Sequence, residues 1–221
     1  MLTSINRDTF LLQSEQEAYF TQQKANCIRK RFFDLLIAGL VTIFILIWLI
    51  PLFGLLIKLT SPGPIMFVQL RTGRNGRPFY CLKLRTMTYD RDAAFKQVVH
   101  NDSRVTRIGK FLRRTNLDEM PQFLNVLHGT MSVVGPRPHA IQHDEEFFSL
   151  IPDYYKRYAV LPGITGLAQV RGARGITDHH IKMQHRIRYD LFYINKYTLR
   201  QDMRICWWTV KSTLKGDKNA W

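Results

Sequence analysis

The sequence is short of cysteine and of acidic residues, and both shortages exclude classes of protein. Its three cysteines, Cys27, Cys81 and Cys206, lie far apart and form no CxxC pair. This pattern argues against a disulfide framework or a zinc site and fits a reducing compartment. Acidic residues number 17 against 32 lysines and arginines, so the formal net charge is +15. The chain should bind anionic partners, but nucleic acid, anionic lipid and phosphorylated metabolites all qualify.

Charged residues are absent from one long stretch, Leu35 to Ile57, which reads LLIAGLVTIFILIWLIPLFGLLI. A helix needs roughly 20 apolar residues to cross a bilayer, so this stretch is long enough. It starts too late and runs too long for a cleaved signal peptide, and we expect it to be retained. Basic residues flank it at 24–31 and from Lys58 onward. Because both flanks have the charge of cytoplasmic segments, the positive-inside rule disfavours a single crossing.

Pro51 lies about two-thirds of the way along this stretch. Proline has no backbone N–H and clashes with the carbonyl four residues earlier, so we predict a kink there. A re-entrant helix would place both flanks on one membrane face. A kinked helix that crosses once is the alternative, and these features do not separate the two. We assign 1–28 to a polar extension, 29–59 to the re-entrant helix-turn-helix and 60–221 to a cytoplasmic domain.

After the apolar stretch the sequence has no repeats or low-complexity linkers and predicts one α-rich α/β region. The segments IMFVQLR and FYCLKLRTM flank TGRNGRP, whose Asn75-Gly76 pair indicates a β-hairpin. In the second strand Lys83 and Arg85 alternate with leucines, so they should share one face. That face is either a solvated strand surface or a cationic wall for a diphosphate.

The stretch RRTNLDEMPQFLNVLHGTMSVVGPRP, residues 113–138, has two adjacent carboxylates at the start of a helical pattern. Thr115 or Asn116 should cap this helix, and Gly129 should end it. Its apolar face is expected to hold Leu117, Met120, Leu124 and Leu127. The polar residues outside that face are Asp118, Glu119 and Gln122. Acidic residues stabilise a first helical turn by ~0.3 to 1 kcal/mol, so the pair has a purely structural explanation too.

Neighbouring cations favour a chemical role for the same pair. Two adjacent carboxylates repel each other, and Mg²⁺ relieves that repulsion by binding one or two of them together with substrate phosphate oxygens. Arg113 and Arg114 can neutralise further charge. The prolines on either side of Arg137 fix its backbone, so that its guanidinium is presented for bidentate phosphate binding. The pattern therefore favours phosphoryl chemistry at Asp118 and Glu119.

The sequence resembles the monotopic phosphoglycosyl transferase family of bacterial sugar transferases over about residues 28–221. The resemblance is carried by KRFFDLL, SPGPIMFVQLRTGRNG, KLRTM, LDEMPQFLNVLHGTMSVVGPRP, PGITGLAQVRG and YDLFYINKYTLRQDM. It implies transfer of a sugar 1-phosphate from a UDP-sugar to polyprenyl (undecaprenyl) phosphate, with release of UMP, to start polysaccharide assembly. The implied location is the cytoplasmic face of the bacterial inner membrane. We expect no nucleic-acid partner and leave a homodimer open.

The resemblance also implies roles for individual residues. Asp118 matches the nucleophile that forms a phosphosugar-aspartate intermediate, and Glu119 matches the adjacent acid that orients the reacting groups. Both are expected to bind Mg²⁺. Expected near the donor phosphates are Arg113 and Arg137, and we add as substrate-binding candidates Lys83, Arg85 and Gln122.

The membrane segment fits the family less closely. Pro51 matches the proline that breaks the family's re-entrant helix. Ile50 precedes it, whereas many members have a serine there, so a hydroxyl bond to the freed carbonyl is missing. Near the C-terminus, Trp207 and Trp208 followed by Lys211 and Lys215 indicate an amphipathic interfacial helix, with ordinary core packing as the alternative.

Sugar preference and mechanism each leave alternatives. The segment RGARGITDHHIKMQHRIRYD resembles the subgroup that starts exopolysaccharide or capsule chains with glucose or galactose 1-phosphate, so we expect a UDP-hexose, glucose first. A membrane-tethered basic protein that binds nucleic acid or anionic lipid would explain the charge, but not an Asp-Glu pair followed by PRP. Direct transfer with Asp118 as a base is the alternative mechanism.

Overall fold

The computed structural model describes residues 28–89, 102–148, 150–173, 175 and 180–215. Residues 1–27 of the predicted polar extension lie outside the described residues. The described chain is rich in helix and has two small two-stranded sheets, as an α-rich α/β protein should.

One long helix, α1, spans Ile28–Thr60 and is long and apolar enough to cross a membrane, by length and composition. A π-helical turn, Thr42–Leu46, precedes its α-helical second half, Ile47–Thr60, and the helix continues through Pro51. Large apolar side chains cover most of its outer surface; examples are Phe32, Phe44, Trp48, Leu55 and Leu59. Such a surface indicates membrane association. The kink, the re-entrant path and the three domain boundaries stay predictions.

The predicted hairpin is confirmed. Strands β1, Met66–Thr72, and β2, Pro78–Leu84, pair antiparallel from Met66 opposite Leu84 to Thr72 opposite Pro78. The turn between them places Asn75 and Gly76 in the left-handed region, with φ of 57° and 72°. Asparagine and glycine tolerate that region better than other residues, which is why this pair makes the turn.

The remaining elements form a mainly helical body around a short parallel sheet. In chain order they are α2 Arg107–Thr115, a 3-10 turn Leu117–Glu119, α3 Gln122–His128, β3 Ser132–Val134, α4 Ile141–Phe148, a 3-10 segment Tyr154–Ala159, β4 Gly163–Thr165, α5 Leu167–Val170, α6 His180–Asn195 and α7 Leu199–Lys215. Strand β3 pairs parallel with β4, and the chain between them holds α4 and the Tyr154–Ala159 segment.

Two buried apolar clusters join α1 to this body. In the first, Leu46, Leu49 and Ile57 of α1 pack with Leu84 of β2 and Leu112 of α2. The second places Ala38 of α1 among buried residues of other elements, including Val126, Met131 and Ile205. Truncating a fully buried leucine to alanine typically costs 2–5 kcal/mol. The membrane helix is therefore a structural support for the elements beside it, rather than a separate anchor.

Polar contacts fix both ends of α1 to the same body. Near its start, Arg31 Nη1 donates to the Val126 carbonyl at 2.7 Å, and the Val133 N–H donates to Asp34 Oδ1 at 3.0 Å. Lys30 forms an ion pair with the buried Asp202 of α7 at 2.7 Å. At its other end, Arg85 Nη2 donates to the Ser61 carbonyl at 2.7 Å.

Helix α2 lies directly against the segment after β2 because it contains Gly109. A Cβ atom on Gly109 would lie 1.9 Å from the Thr86 carbonyl oxygen, so only glycine permits this approach. Thr106 caps the helix by accepting a hydrogen bond from the Gly109 N–H at 3.0 Å. This contact sets the position of Arg113, which lies in the last turn of α2.

Candidate active site

The Asp118–Glu119 pair lies in a break between two helices, not in the first turn of one continuous helix as predicted. Asn116 takes a left-handed conformation that ends α2, and its side chain makes no capping bond to the turn that follows. Thr115 does not cap that turn either, because its hydroxyl donates back to the Phe111 carbonyl at 2.9 Å. Pro121 has no N–H to extend a helix, so α3 starts only at Gln122. In the sequence, Pro121 was the signal for this break.

The packing of the predicted apolar face is confirmed except at its end. Leu117, Met120 and Leu124 pack against the cluster formed by α1, β2 and α2. Leu127 is 37% exposed and does not belong to that face. Gly129 ends α3 with φ of 93°, as predicted. Asp118 and Gln122, which were predicted to lie outside that face, are nevertheless buried, with 8% and 1% of each residue exposed.

Glu119 is held by two cations from different parts of the chain. Lys83 of β2 donates to Glu119 Oε1 at 2.6 Å. Arg137 donates from both terminal nitrogens, Nη1 to Oε2 at 2.8 Å and Nη2 to Oε1. Burial opposes ionisation of Glu119, but Arg137 and Lys83 outweigh it and hold the pKa of this carboxyl well below its usual range. Glu119 is therefore a fixed negative charge with both oxygens engaged.

Asp118 differs from Glu119 in its hydrogen bonds and in the direction of its pKa shift. Among the described residues, nothing donates a hydrogen bond to its carboxylate. Burial raises its pKa from 3.8 to about 6 and the charge of Glu119 adds to the rise, while Lys83, Arg113 and Arg137 oppose it. A buried carboxylate without hydrogen bonds keeps its lone pairs for another reaction partner. The structure thus separates one clamped carboxylate from one uncommitted carboxylate.

Lys83 and Arg85, which were predicted as candidates for one cationic wall, have different partners. Lys83 reaches Glu119, but Arg85 turns to the end of α1, where its guanidinium donates to Ser61 Oγ at 2.9 Å and to the Pro62 carbonyl at 2.6 Å. Arg85 lies just beyond the end of β2 and is only 4% exposed. We therefore revise its predicted role: its contacts hold the end of the membrane helix and leave Glu119 to Lys83.

Arg113 and Gln122 flank the pair along the chain. Arg113 Nε donates to Thr86 Oγ1 at 2.9 Å, and its charge acts on Asp118. Gln122 is 1% exposed, and its Oε1 atom has no hydrogen-bond partner among the described residues. An unsatisfied buried oxygen is costly, so its presence one turn after Asp118 favours a role at a bound group.

Sequence reasoning missed Asn125, which joins α3 to the hairpin. Its side chain accepts from the Leu82 N–H at 3.0 Å and donates to the Tyr80 carbonyl at 2.7 Å. These two bonds complete the backbone pairing of β2 at its edge. Lys83 follows Leu82 directly, so Asn125 fixes the strand that brings Lys83 to Glu119. The only sequence signal was a polar residue inside an otherwise apolar helical pattern.

A buried polar network, also missed, holds the loop that carries Arg137. Arg157 Nη2 donates to the Arg137 carbonyl at 2.6 Å and to Asp190 Oδ2 at 3.0 Å. On the other side of the loop, Arg71 Nη1 donates to the Pro138 carbonyl at 2.6 Å. These arginines come from segments far apart in sequence, so no local pattern could have indicated the contacts.

The same network continues behind Arg157. Tyr154 donates to Asp144 Oδ1 at 2.6 Å, and His139 Nδ1 lies 2.7 Å from the Tyr154 hydroxyl. Burial and the nearby charge of Arg157 keep the pKa of His139 well below its usual range, so its ring is neutral. Within the described residues no three His, Cys, Asp or Glu side chains cluster as a metal site.

The loop is also fixed by close backbone contacts. The Gly135 N–H donates to the Thr165 carbonyl of β4 at 2.9 Å. A Cβ atom on Gly163 would lie 2.1 Å from the Gly135 nitrogen, so the two segments can approach this closely only with glycine at 163. This contact gives the PGITG motif a structural role: it positions the VGPRP loop, and hence Arg137, against β4.

Comparison with known proteins identifies the family to which the chain belongs. A family profile described as bacterial sugar transferase matches residues 25–216. A UDP-glucose:undecaprenyl-phosphate glucose-1-phosphate transferase of Klebsiella pneumoniae is 48% identical over 186 residues, which are 84% of this chain but 40% of that protein. A protein of the same name from Caulobacter vibrioides is 48% identical over 191 residues, 86% of this chain and 71% of its own length.

A third relative has nearly the same extent as the matched region. The exopolysaccharide production protein PSS of Rhizobium leguminosarum is 46% identical over 196 residues, 86% of this chain and 98% of that protein. The chain therefore spans well under half of the Klebsiella relative and almost all of the Rhizobium one. By the extent of the profile match and by these identities, the chain belongs to the bacterial sugar transferase family.

Proposed function

We propose that this chain transfers a hexose 1-phosphate, glucose first, from a UDP-sugar to polyprenyl phosphate and releases UMP, and so starts polysaccharide assembly. The names of the Klebsiella and Caulobacter relatives support the transfer reaction, and the name of the Rhizobium relative supports a role in exopolysaccharide production. The observation that carries it is the asymmetry of the pair: Glu119 is clamped by Lys83 and Arg137, while Asp118 is buried and uncommitted.

In the first half-reaction, an Asp118 carboxylate oxygen attacks the phosphorus bonded to the sugar. The bond between that phosphorus and the bridging oxygen of the diphosphate breaks, and UMP leaves with the electron pair. A phosphosugar-aspartate remains on the protein. In the second half-reaction, a phosphate oxygen of the polyprenyl acceptor attacks the same phosphorus, and Asp118 leaves as a carboxylate. The product is a polyprenyl diphosphate sugar.

The cations near the pair retain the capacity to bind donor phosphates while they hold Glu119. Lys83 uses one of its three N–H donors on Glu119, and Arg137 uses two of its five. Their remaining donors, with those of Arg113, are available to phosphate oxygens. Because Glu119 fixes both side chains in advance, little reorganisation is needed when charge moves during transfer.

Asp118 fits a magnesium site that substrate completes, whereas both oxygens of Glu119 are bonded to Lys83 and Arg137, so Glu119 would act on the ion through its charge. Mg²⁺ takes one or two carboxylates together with substrate phosphate oxygens, which matches two adjacent acids outside any three-residue cluster among the described residues. Oxygen atoms without a hydrogen-bond partner among the described residues are present on Asp118 and, four residues later in the chain, on Gln122 (Oε1). When bound, the ion would neutralise charge on the phosphoryl oxygens.

The re-entrant path of α1 at the inner membrane, with the body on the cytoplasmic face, belongs to the same proposal. Both ends of α1 bond to one body, through Arg31 and Asp34 at its start and Ser61 at its end. A helix that returns to one membrane face makes such contacts possible for a body that stays outside the bilayer. Single cysteines at positions 10 and 215, in a chain otherwise free of cysteine, should both be protected from a membrane-impermeant reagent in intact cells. Periplasmic labelling of position 10 alone would establish a single crossing.

Release of UMP tests the reaction directly. The purified chain, Mg²⁺ and polyprenyl phosphate are incubated with UDP-glucose, UDP-galactose and the N-acetylated UDP-hexosamines in parallel. We expect acceptor-dependent UMP release, fastest with UDP-glucose. The names of the relatives do not support the alternative, a tethered protein that only binds nucleic acid or anionic lipid, and salt-sensitive oligonucleotide binding without UMP release would be its signature.

A further inference from the structure

A second charged concavity lies between α6 and α7, apart from the Asp118–Glu119 pair. It is an open cavity of ≈ 730 Å³. Five cations line it, namely Arg171, Arg188, Lys196, Arg200 and Arg204. Aromatic rings line it as well, and the Arg171 guanidinium lies 5.2 Å from the ring centroid of Trp208.

The part of the chain that the structure describes supplies no counter-charge to these five cations. Among the described residues, no carboxylate lies within ion-pair distance of any of them. The acids on the same helices are buried and already engaged: Asp190 with Arg157 at 3.0 Å, and Asp202 with Lys30 at 2.7 Å. Like charges that share a concavity repel one another, and an anion between them relieves the repulsion. The cavity therefore fits an anionic ligand.

The position of the cavity indicates the source of that anion. Lys30, the partner of Asp202, lies in the first turn of α1, just before the long apolar stretch begins. Arg200 and Arg204 flank Asp202 in sequence, so the cavity lies within about a turn of α7 from the point where the membrane helix starts. This is the level at which lipid headgroups would surround an inserted helix.

The surface beside the cavity is apolar. Trp207, Val210 and Leu214 are spaced three and four residues apart on α7, so they share one face, and Trp207 is 66% and Leu214 83% exposed. Arg204 and Trp208 of α7 line the cavity, and Trp208 directly follows Trp207, so the cavity lies beside this apolar face. A soluble anion would leave the apolar face bare, whereas acyl chains beneath a bound headgroup would cover it.

We propose that the cavity between α6 and α7 binds the phosphate headgroup of an anionic phospholipid, with the lipid chains against the apolar face of α7. The Arg171–Trp208 contact holds one cation in place before the lipid arrives. The site is separate from the transfer reaction and does not depend on it. Its effect is to fix the height and tilt of the body on the membrane.

The test is lipid retention by the full chain in nonionic detergent, read by native mass spectrometry. Phosphatidylglycerol and phosphatidylcholine with identical acyl chains are titrated separately, and glycerol 3-phosphate serves as the free-phosphate arm. The cavity variant is Arg200→Gln/Arg204→Gln. The matched control is Lys211→Gln/Lys215→Gln, which removes the same charge from the same helix outside the cavity. All four residues are exposed, so both variants should fold.

We expect one phosphatidylglycerol to bind in preference to phosphatidylcholine and to glycerol 3-phosphate. The cavity variant should weaken that binding roughly 10- to 30-fold, and the control less than about threefold, since each cation adjacent to an anionic headgroup contributes separately. Equal losses in both variants would overturn the proposal in favour of diffuse attraction. Equal binding of the two lipids, or tight binding of glycerol 3-phosphate, would overturn the assignment to an anionic lipid. If the cavity variant loses helicity, Arg188→Gln/Lys196→Gln on the α6 wall replaces it.

Discussion

The active-site cations and the cavity cations differ in what balances their charge. Lys83 and Arg137 both contact Glu119, so the protein itself supplies their counter-charge. The five cations between α6 and α7 have none among the described residues. Both regions are suited to phosphate groups, but in the first an acid fixes both cations before a ligand arrives, whereas in the second only Arg171 is held, by its contact with Trp208.

This difference predicts different consequences for the two regions. An internal acid such as Glu119 neutralises part of the cationic charge, which lowers affinity for anions but fixes the donors where charge develops during transfer. Unpaired cations keep their full attraction for an anion but pay more side-chain entropy when it binds. Changes at the pair should therefore alter turnover, and changes in the cavity should alter lipid binding and leave the chemical step unchanged.

The strongest test of the comparison is Asp118→Asn. The amide is nearly isosteric but has no ionised oxygen to bond to phosphorus, so turnover should fall at least about 10³-fold while the fold persists. With UDP-glucose and Mg²⁺ but no acceptor, the wild-type chain should gain a hexose-phosphate mass on the peptide that contains Asp118. The variant should gain none.

The control for this experiment is Glu119→Gln, assayed in parallel. We expect it to lose activity too, because the clamp that positions Lys83 and Arg137 loses its charge. An adduct found on Glu119 would reverse the assignment of the nucleophile. Persistent turnover with no adduct under rapid quench would favour direct transfer with Asp118 as base.

The next effect in size concerns Arg137. Arg137→Ala removes both bonds to Glu119 as well as the free donors, and turnover should fall roughly 10²-fold. Arg137→Lys should recover only part of this loss, because an ammonium cannot reproduce a bidentate fork. The measurement is UMP release at saturating UDP-glucose. Full activity of the alanine variant would remove Arg137 from the site.

A smaller effect is expected at Arg157, which acts on the reaction only through the Arg137 loop. Arg157→Lys keeps a charge beside Asp190 but cannot also bond the Arg137 carbonyl and His139, so kcat should fall roughly tenfold with KM little changed. Arg157→Gln leaves Asp190 unpaired and should also lower the free energy of unfolding by about 3–5 kcal/mol. Unchanged kcat in a fully folded Arg157→Lys variant would limit Arg157 to a structural role.

The sequence predicted local features of this structure well. The hairpin turn follows from Asn75 and Gly76, and the end of α3 from Gly129. Each of these features is set by residues close together in the chain. The predicted continuous helix through the pair was wrong because Pro121, two residues after Glu119, interrupts the helix that the capping pattern indicates.

Contacts between distant segments could not be predicted in this way. Lys83 and Arg85 have different partners because of where α1 ends: Arg85 donates to the Ser61 and Pro62 carbonyls there. The support of Arg137 by Arg157 depends on how α6 packs, and the cavity depends on the angle between α6 and α7. Strand alternation and helical spacing give the direction of a side chain, but they do not give the element that meets it.

The smallest effect we expect is in the pH dependence of the first half-reaction. Burial holds the pKa of Asp118 at about 6, above its ordinary 3.8, and the nucleophile must be ionised. Single-turnover UMP release without acceptor should therefore rise as pH increases through about 6 and then level off. Lys83 is the strongest of the cationic influences that lower this pKa. Lys83→Gln should thus move the midpoint to higher pH, by roughly one unit, whatever it does to the plateau. Arg114→Gln, which removes an exposed charge from the end of α2, is the matched control and should leave the midpoint in place. A midpoint that stays at its wild-type value in Lys83→Gln would mean that a group other than Asp118 sets the profile.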